Sequence, residues 1–197
     1  MKKIVKYLVF IMVMESVLVC FSGCNLEDFK RHRNNDENTG DAIIVTDEGD
    51  IKYQKEFGTY IVKSGWVESK THSGNGKYFY VKEGQDNDTR PNNISINGGT
   101  NKYTKSEHEQ FKDAIYVQLA RQVSGNDSEI LANGSTTEQG EILYTFVIKS
   151  SELTCTQYYI VGEKKYVMIY ESVWNNDEEK ETDEVALKMV NSFKWLD

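Results

Sequence analysis

Ile142-Leu143-Tyr144-Thr145-Phe146-Val147-Ile148, Leu153-Thr154-Cys155-Thr156-Gln157-Tyr158-Tyr159-Ile160-Val161 and Tyr166-Val167-Met168-Ile169-Tyr170-Glu171-Ser172-Val173 are three apolar runs set close together in one chain. They are too short for ordinary helices and rich in β-branched and aromatic residues, which fit a pleated surface. The connectors around Ser150-Ser151 and Gly162-Glu163-Lys164 are brief. A parallel crossover needs about a dozen residues or more, so these runs must pair as an antiparallel meander.

The flanks of the meander carry helical patterns. Upstream, Thr104 and Glu107 have the spacing of a capping box. Phe111, Ala114, Ile115, Leu119 and Val123 follow on one face, and Gly125 marks the stop. A core-facing stripe is the plain reading, ahead of a helix shown to a partner or membrane. Downstream, a helix is expected over Thr182–Ser192, with Val185, Ala186, Met189, Val190 and Phe193 inward. Asp183 and Glu184 suit its first turn, where the helix dipole favours negative charge.

Further upstream, Tyr60-Ile61-Val62 and Trp66-Val67 flank Ser64-Gly65 as strand, turn, strand. Lys77-Tyr78-Phe79-Tyr80-Val81-Lys82 follows a Ser73-Gly74-Asn75-Gly76 turn. Asn93-Ile94-Ser95-Ile96-Asn97 alternates as a half-buried strand should, and Gly98-Gly99 is expected to end it. Strands, helix, strands, helix is an α+β layout.

The N-terminus has a different character. Met1-Lys2-Lys3-Ile4-Val5-Lys6 is basic, and Tyr7 to Phe21 is apolar apart from Glu15. A bilayer-spanning helix needs about 20 apolar residues, and a charge at its centre is costly. A secretory signal fits better. Phe21-Ser22-Gly23-Cys24 resembles the processing site of bacterial lipoproteins, in which the cysteine is acylated and the preceding peptide removed. The resemblance implies a signal over 1–23 and membrane attachment through lipid on Cys24. Two acyl chains would anchor stably where one does not. Residues 24–55 read as a flexible tether, since Arg33 to Asp41 offers nothing apolar to pack, with Ile43-Ile44-Val45 as a candidate short strand amid acidic residues and Gly49. The globular domain is expected over 56–197. Lys30, Arg31 and Arg33 are suited either to an anionic surface or to plain solvation.

The chain of 197 residues has a formal charge of −8. Loss of residues 1–23 removes three lysines and one glutamate, so the mature charge is more acidic still. That argues against nucleic acid, whose binders show a basic face. With Cys24 lipidated, Cys155 has no mature partner for a disulfide. No cysteine–histidine cluster has zinc spacing, and no cofactor is expected.

Tyr60-Ile61-Val62-Lys63-Ser64-Gly65-Trp66 and the ending Met189-Val190-Asn191-Ser192-Phe193-Lys194-Trp195 resemble the first strand pair and last helix of PsbP-like domains. Such domains often carry Pro where this chain has Lys63. The resemblance spans about Phe57 to Trp195. It implies a twisted antiparallel sheet packed with helices, used for binding or assembly in an extracytoplasmic compartment, and it implies no reaction.

The most unusual stretch is Glu83-Gly84-Gln85-Asp86-Asn87-Asp88-Thr89-Arg90-Pro91-Asn92-Asn93, with the chain's one proline. Asp86 and Asp88 offer oxygen ligands, but Pro91 stands where a calcium-hand loop requires Gly, so no metal is expected. Solvated loop and contact loop are the two remaining readings. In the second, Arg90, Asp86, Asp88, Asn92 and Asn93 bind a partner, with Arg90 as anchor. His32, His72 and His108 are scattered, and no nucleophile elbow accompanies them. Cys155 alternates with Leu153 as a buried thiol would. Tyr158, Tyr159, Tyr166 and Tyr170 read as cross-strand packing; a ligand-binding aromatic face is the alternative.

The expectation is a membrane-anchored, extracytoplasmic, non-enzymatic module that binds a protein or envelope partner. The alternative is an enzyme or metal-dependent small-molecule binder using the 86–93 loop or the tyrosine-rich sheet.

Overall fold

The computed structural model describes residues 44–124, 128–174 and 179–196, all within one compact unit spanning Asp41–Asp197. The signal, Cys24 and His32 lie outside the described residues. Among the described residues, two antiparallel sheets and two α-helices make an α+β fold. The strands are β1 (Ile44–Val45), β2 (Ile51–Lys55), β3 (Gly58–Val62), β4 (Trp66–Glu68), β5 (Lys77–Lys82) and β6 (Asn93–Thr100). Helix α1 (His108–Val123) leads to β7 (Glu129–Thr136), β8 (Ile142–Lys149), β9 (Leu153–Val161) and β10 (Lys165–Trp174). Helix α2 (Glu179–Ser192) precedes β11 (Lys194–Trp195). The small sheet has the order β1-β2-β3-β11, and the large one β4-β5-β6-β10-β9-β8-β7.

The expected meander is β8-β9-β10, with Leu143 opposite Ile160 and Val167 opposite Ile160 from the other side. Alternation gives each strand two buried faces. On one, Ile94, Ile96, Leu143, Tyr158, Ile160, Val167 and Ile169 join Tyr53, Tyr60 and Val62 of the small sheet and the apolar stripe of α2. On the other, Phe111 of α1 meets Tyr159 and Tyr166 at ring separations of 5.7 and 5.5 Å. The Thr104–Glu107 capping box forms, whereas Gly125 lies outside the described residues. The Thr104 N–H donates to Glu107 Oε2 at 2.9 Å, opening a 3-10 turn (Lys105–Glu107) that runs into α1. Helix α2 starts at Glu179 rather than Thr182, so Glu179 and Glu181, not Asp183 and Glu184, occupy its first turn. In α2, Val185, Ala186, Met189 and Val190 are buried, and Phe193 follows beneath β3.

Three further expectations are corrected. The domain does not start at residue 56, because β1 and β2 belong to the small sheet. Tyr53 is core, and Lys55 is buried with its Nζ 3.0 Å from Glu68 Oε2. The charged surroundings hid this strand, since its two buried side chains are a tyrosine and a lysine, with Ile51 only partly buried against the core. Gly98-Gly99 does not end β6, which continues to Thr100. A Cβ on Gly98 would sit 2.8 Å from Phe57 Cβ, and one on Gly99 would sit 2.5 Å from the Tyr166 ring. These glycines admit close neighbours rather than a turn. Finally, β7 was not foreseen. Its side chains are mostly exposed, so Glu-Ile-Leu-Ala-Asn-Gly-Ser-Thr shows no alternation.

Among the described residues no helix is long and apolar enough to cross a membrane.

Candidate functional site

The loop between β5 and β6 is built from local turns. Gly84 takes φ 88°, and the Gln85 N–H donates to the Lys82 carbonyl at 2.9 Å. The Asp88 N–H then donates to the Gln85 carbonyl at 3.0 Å. Thr71 Oγ1 donates to Asp86 Oδ2 at 3.4 Å, tying the loop to the preceding turn. The Asn93 amide donates to the Pro91 carbonyl at 3.2 Å.

Asn92 fixes the far end of the loop. It is buried, its Oδ1 accepts the Trp174 N–H at 2.9 Å, and its Nδ2 donates to Thr182 Oγ1 at 3.3 Å. One amide thus clamps the loop to the end of β10 and the first turns of α2. Two residues earlier, exposed Arg90 lays its guanidinium 5.0 Å above the Trp174 ring. Stacking on an indole keeps the planar fork oriented. Of the residues expected to bind, Arg90 and Asn92 therefore converge on Trp174. Asn93 begins β6 half-buried, Asp86 leans on Thr71, and Asp88 is exposed. Among the described residues no group of three or more His, Cys, Asp and Glu is placed to hold a metal ion.

Beneath this corner lies a group the sequence reading passed over. Glu171 is the one charged residue inside the last run of the meander, and its side chain points to the α2 side, between Ile94 and Thr156. It is fully buried, Tyr158 Oη donates to its Oε2 at 3.4 Å, and Oε1 has no partner. Burial first, and then the neighbouring Asp183 carboxylate, push its carboxyl up to about 9. The side chain is therefore a neutral acid at pH 7. A lone charged residue in an otherwise apolar strand run was the available signal.

The remaining candidates separate. Tyr159, Tyr166 and Tyr170 face α1's side of the sheet, and Tyr158 faces the other. All four are buried, so they pack rather than form an open aromatic face. Cys155 is buried, and burial pushes its thiol up to about 11, away from thiolate reactivity. His108 Nδ1 lies 2.6 Å from Tyr144 Oη at the start of α1, whereas His72 meets the edge of the Phe79 ring. His72 and His108 are not brought to one site. Tyr60 Oη and Tyr80 Oη share a 2.7 Å hydrogen bond in the core, and burial raises both phenols well above their usual range.

No family model matches the chain, and no curated protein matches it. Among solved structures it is similar to cyanobacterial PsbP (CyanoP) from Synechocystis, with 14% identity, TM-score 0.48, and coverage of 83% of this chain and 99% of that one. A mutant of protein Mog1 is similar at 16% identity and TM-score 0.45, covering 81% of this chain and 97% of that one. A Bacteroides thetaiotaomicron protein follows at 11% identity and TM-score 0.40, with 81% of this chain covering 50% of that one.

Proposed function

We propose that the protein is an extracytoplasmic lipoprotein whose α+β domain is a non-enzymatic binding or assembly module for a protein or envelope partner. Lipid on Cys24 attaches it to the membrane, and the residues between Cys24 and β1 serve as the tether. The support for the anchor is the sequence pattern: a basic start, an apolar run, then Ser22-Gly23-Cys24. The observation that carries the binding reading is the Arg90 fork held over Trp174 on a loop clamped by Asn92. Arginine on a rigid base is the kind of residue that dominates interfaces, because little side-chain entropy is left to lose on binding. Its natural targets are carboxylates and main-chain carbonyls.

The two parts are tested separately. Metabolic labelling with a fatty-acid analogue is expected to mark the unsubstituted protein and not Cys24→Ala; equal labelling sinks the anchor. For the loop, Arg90→Ala is expected to keep the melting temperature nearly unchanged. It should also lose most of the partner recovered by crosslinking from native membranes, an effect of about 1–2 kcal/mol or more for a hot spot. Destabilisation by several kcal/mol with undiminished recovery would make Arg90 a structural residue.

A further inference from the structure

The large sheet has two edges, and they are treated differently. At one end β4 is only three residues long, and its Glu68 is paired with buried Lys55. Short, charged edges resist pairing with other chains. At the other end β7 is eight residues long, and Leu131 through Thr136 are all exposed. From Ile130 to Thr136 it carries no charge and no proline. This is the unprotected kind of edge.

The direction of its backbone groups follows from the hairpin. The Thr137 N–H donates to the Glu141 carbonyl at 2.9 Å, and β7 then pairs with β8 from Thr136–Ile142 to Glu129–Lys149. Because bonded and non-bonded positions alternate in an antiparallel ladder, residues 135, 133, 131 and 129 bond inward to β8. Ile130, Ala132, Gly134 and Thr136 therefore aim their N–H and C=O groups outward.

We propose that β7 is a homodimer interface, in which two copies pair their β7 strands antiparallel about a two-fold axis at Asn133. In that register Ile130 meets the partner's Thr136, and Ala132 meets the partner's Gly134. The four outward residues thus satisfy one another completely. On the opposite side Leu131 meets Ser135, and Asn133 meets itself. No like charges face each other across the seam, which matters for a chain of net charge −8. Glu129 at the margin already has Lys149 opposite it in its own hairpin. The pairing also covers Leu131, 48% exposed in one copy. Helix α1, which packs over β7 and β8, brings exposed Tyr116 and Val117 to the same end of the sheet. With Ala120, Arg121 and Ser124 they line a shallow hollow of about 420 Å³ on that helix. A second copy closes this set of groups by symmetry, as an isologous contact requires.

The test uses the full chain in mild detergent, with mass followed by sedimentation over a loading series that reaches the high-micromolar range. A concentration-dependent dimer is expected. Asn133→Lys and Asn133→Glu each set like charges against each other on the axis and should each weaken the dimer about fivefold, the upper range for opposed charges in a sheet. An equimolar mixture of the two should restore it as a heterodimer. Asn133 is exposed, so the melting temperature of each variant checks that the monomer still folds. Across a non-bonded pair the Asn133 Cα atoms would lie about 4.5 Å apart. That is within disulfide range, so Asn133→Cys should give an oxidised dimer band absent from the unsubstituted chain. A monomer throughout the series overturns the proposal. So does a dimer indifferent to both charge variants, which would lie on another surface, and so does pairing with an extended segment of a different protein in place of self-association.

Discussion

Glu171 shows how one residue can set a pH dependence for the whole domain. Its carboxyl ordinarily titrates near 4.5 and is held protonated in the fold up to about 9. The native state therefore binds a proton that the unfolded chain releases. The contribution to stability is fully present below 4.5 and is lost as pH rises toward 9. Asp50 and Glu181 act oppositely. Burial resists ionisation of Asp50, but the Ser64 N–H and Lys188 more than offset it; Lys82 lowers Glu181 directly. Their stabilisation is present at neutral pH and lost on acidification. Denaturant unfolding at a series of pH values is expected to show falling stability between about pH 5 and 9. Glu171→Gln, which keeps the neutral shape, should flatten that slope. An unchanged slope would place the titration elsewhere. The same residue marks a limit of sequence reading. Glu171 was visible as an anomaly in an apolar run, but which face it occupied depended on the register with Ile94 and Thr156.

At the scale of elements, legibility followed burial. The strands β8, β9 and β10 and both helices stand out because their apolar side chains recur with the period of the structure they form. Helix α1 buries Phe111, Ile115 and Leu119 as the stripe requires, with Ala114 and Val123 half-buried at its margins. Truncating Leu119 to Ala should cost about 2–5 kcal/mol, as a buried leucine does when its cavity cannot collapse. Gln118→Ala, half-buried on the flank, should cost within about 0.5 kcal/mol. Equal small losses in chemical denaturation would mean that α1 does not cover the sheet. The elements that escaped were β2, β7 and β11. In β11 only Lys194 and Trp195 pair with Thr59 and Gly58, too little to leave a period. In β7 nearly every side chain faces water, so hydrophobic patterning had nothing to act on. The strand least visible in the sequence is the one whose backbone is left to pair. In the 86–93 loop the sequence singled out the right corner, but the clamp to Thr182 and Trp174 joins residues far apart in the chain.

At the scale of the molecule, the fold depends on a segment that reads as linker. The small sheet covers one flank of the core with Tyr53, Tyr60 and Val62, and β2 is its second strand. Tyr53 meets the Tyr80 ring edge-on at 5.2 Å. Lys55 fills the space between the sheets, its Nζ 4.0 Å from the Tyr78 ring centroid and paired with Glu68. Just before β2, Asp50 Oδ1 accepts the Ser64 N–H at 3.0 Å and Oδ2 lies 3.1 Å from Lys188 Nζ, tying the turn to both β3 and α2. A chain beginning at residue 56 loses all of this at once. It exposes Tyr60 and Tyr80 and leaves Glu68 without its buried cation. The loss of a buried aromatic alone costs about 3–5 kcal/mol, and an uncompensated ionic partner adds to it, against a total stability of about 5–15 kcal/mol for a domain. The truncated chain is therefore expected to melt broadly or not fold. A chain beginning at Asp41, the boundary of the compact unit, should keep a sharp transition. Circular dichroism melts of the two decide the matter. If the shorter chain melted as cooperatively and as high as the longer one, β1 and β2 would be ornaments on a core that is complete without them, and the folded unit would begin at Phe57 after all.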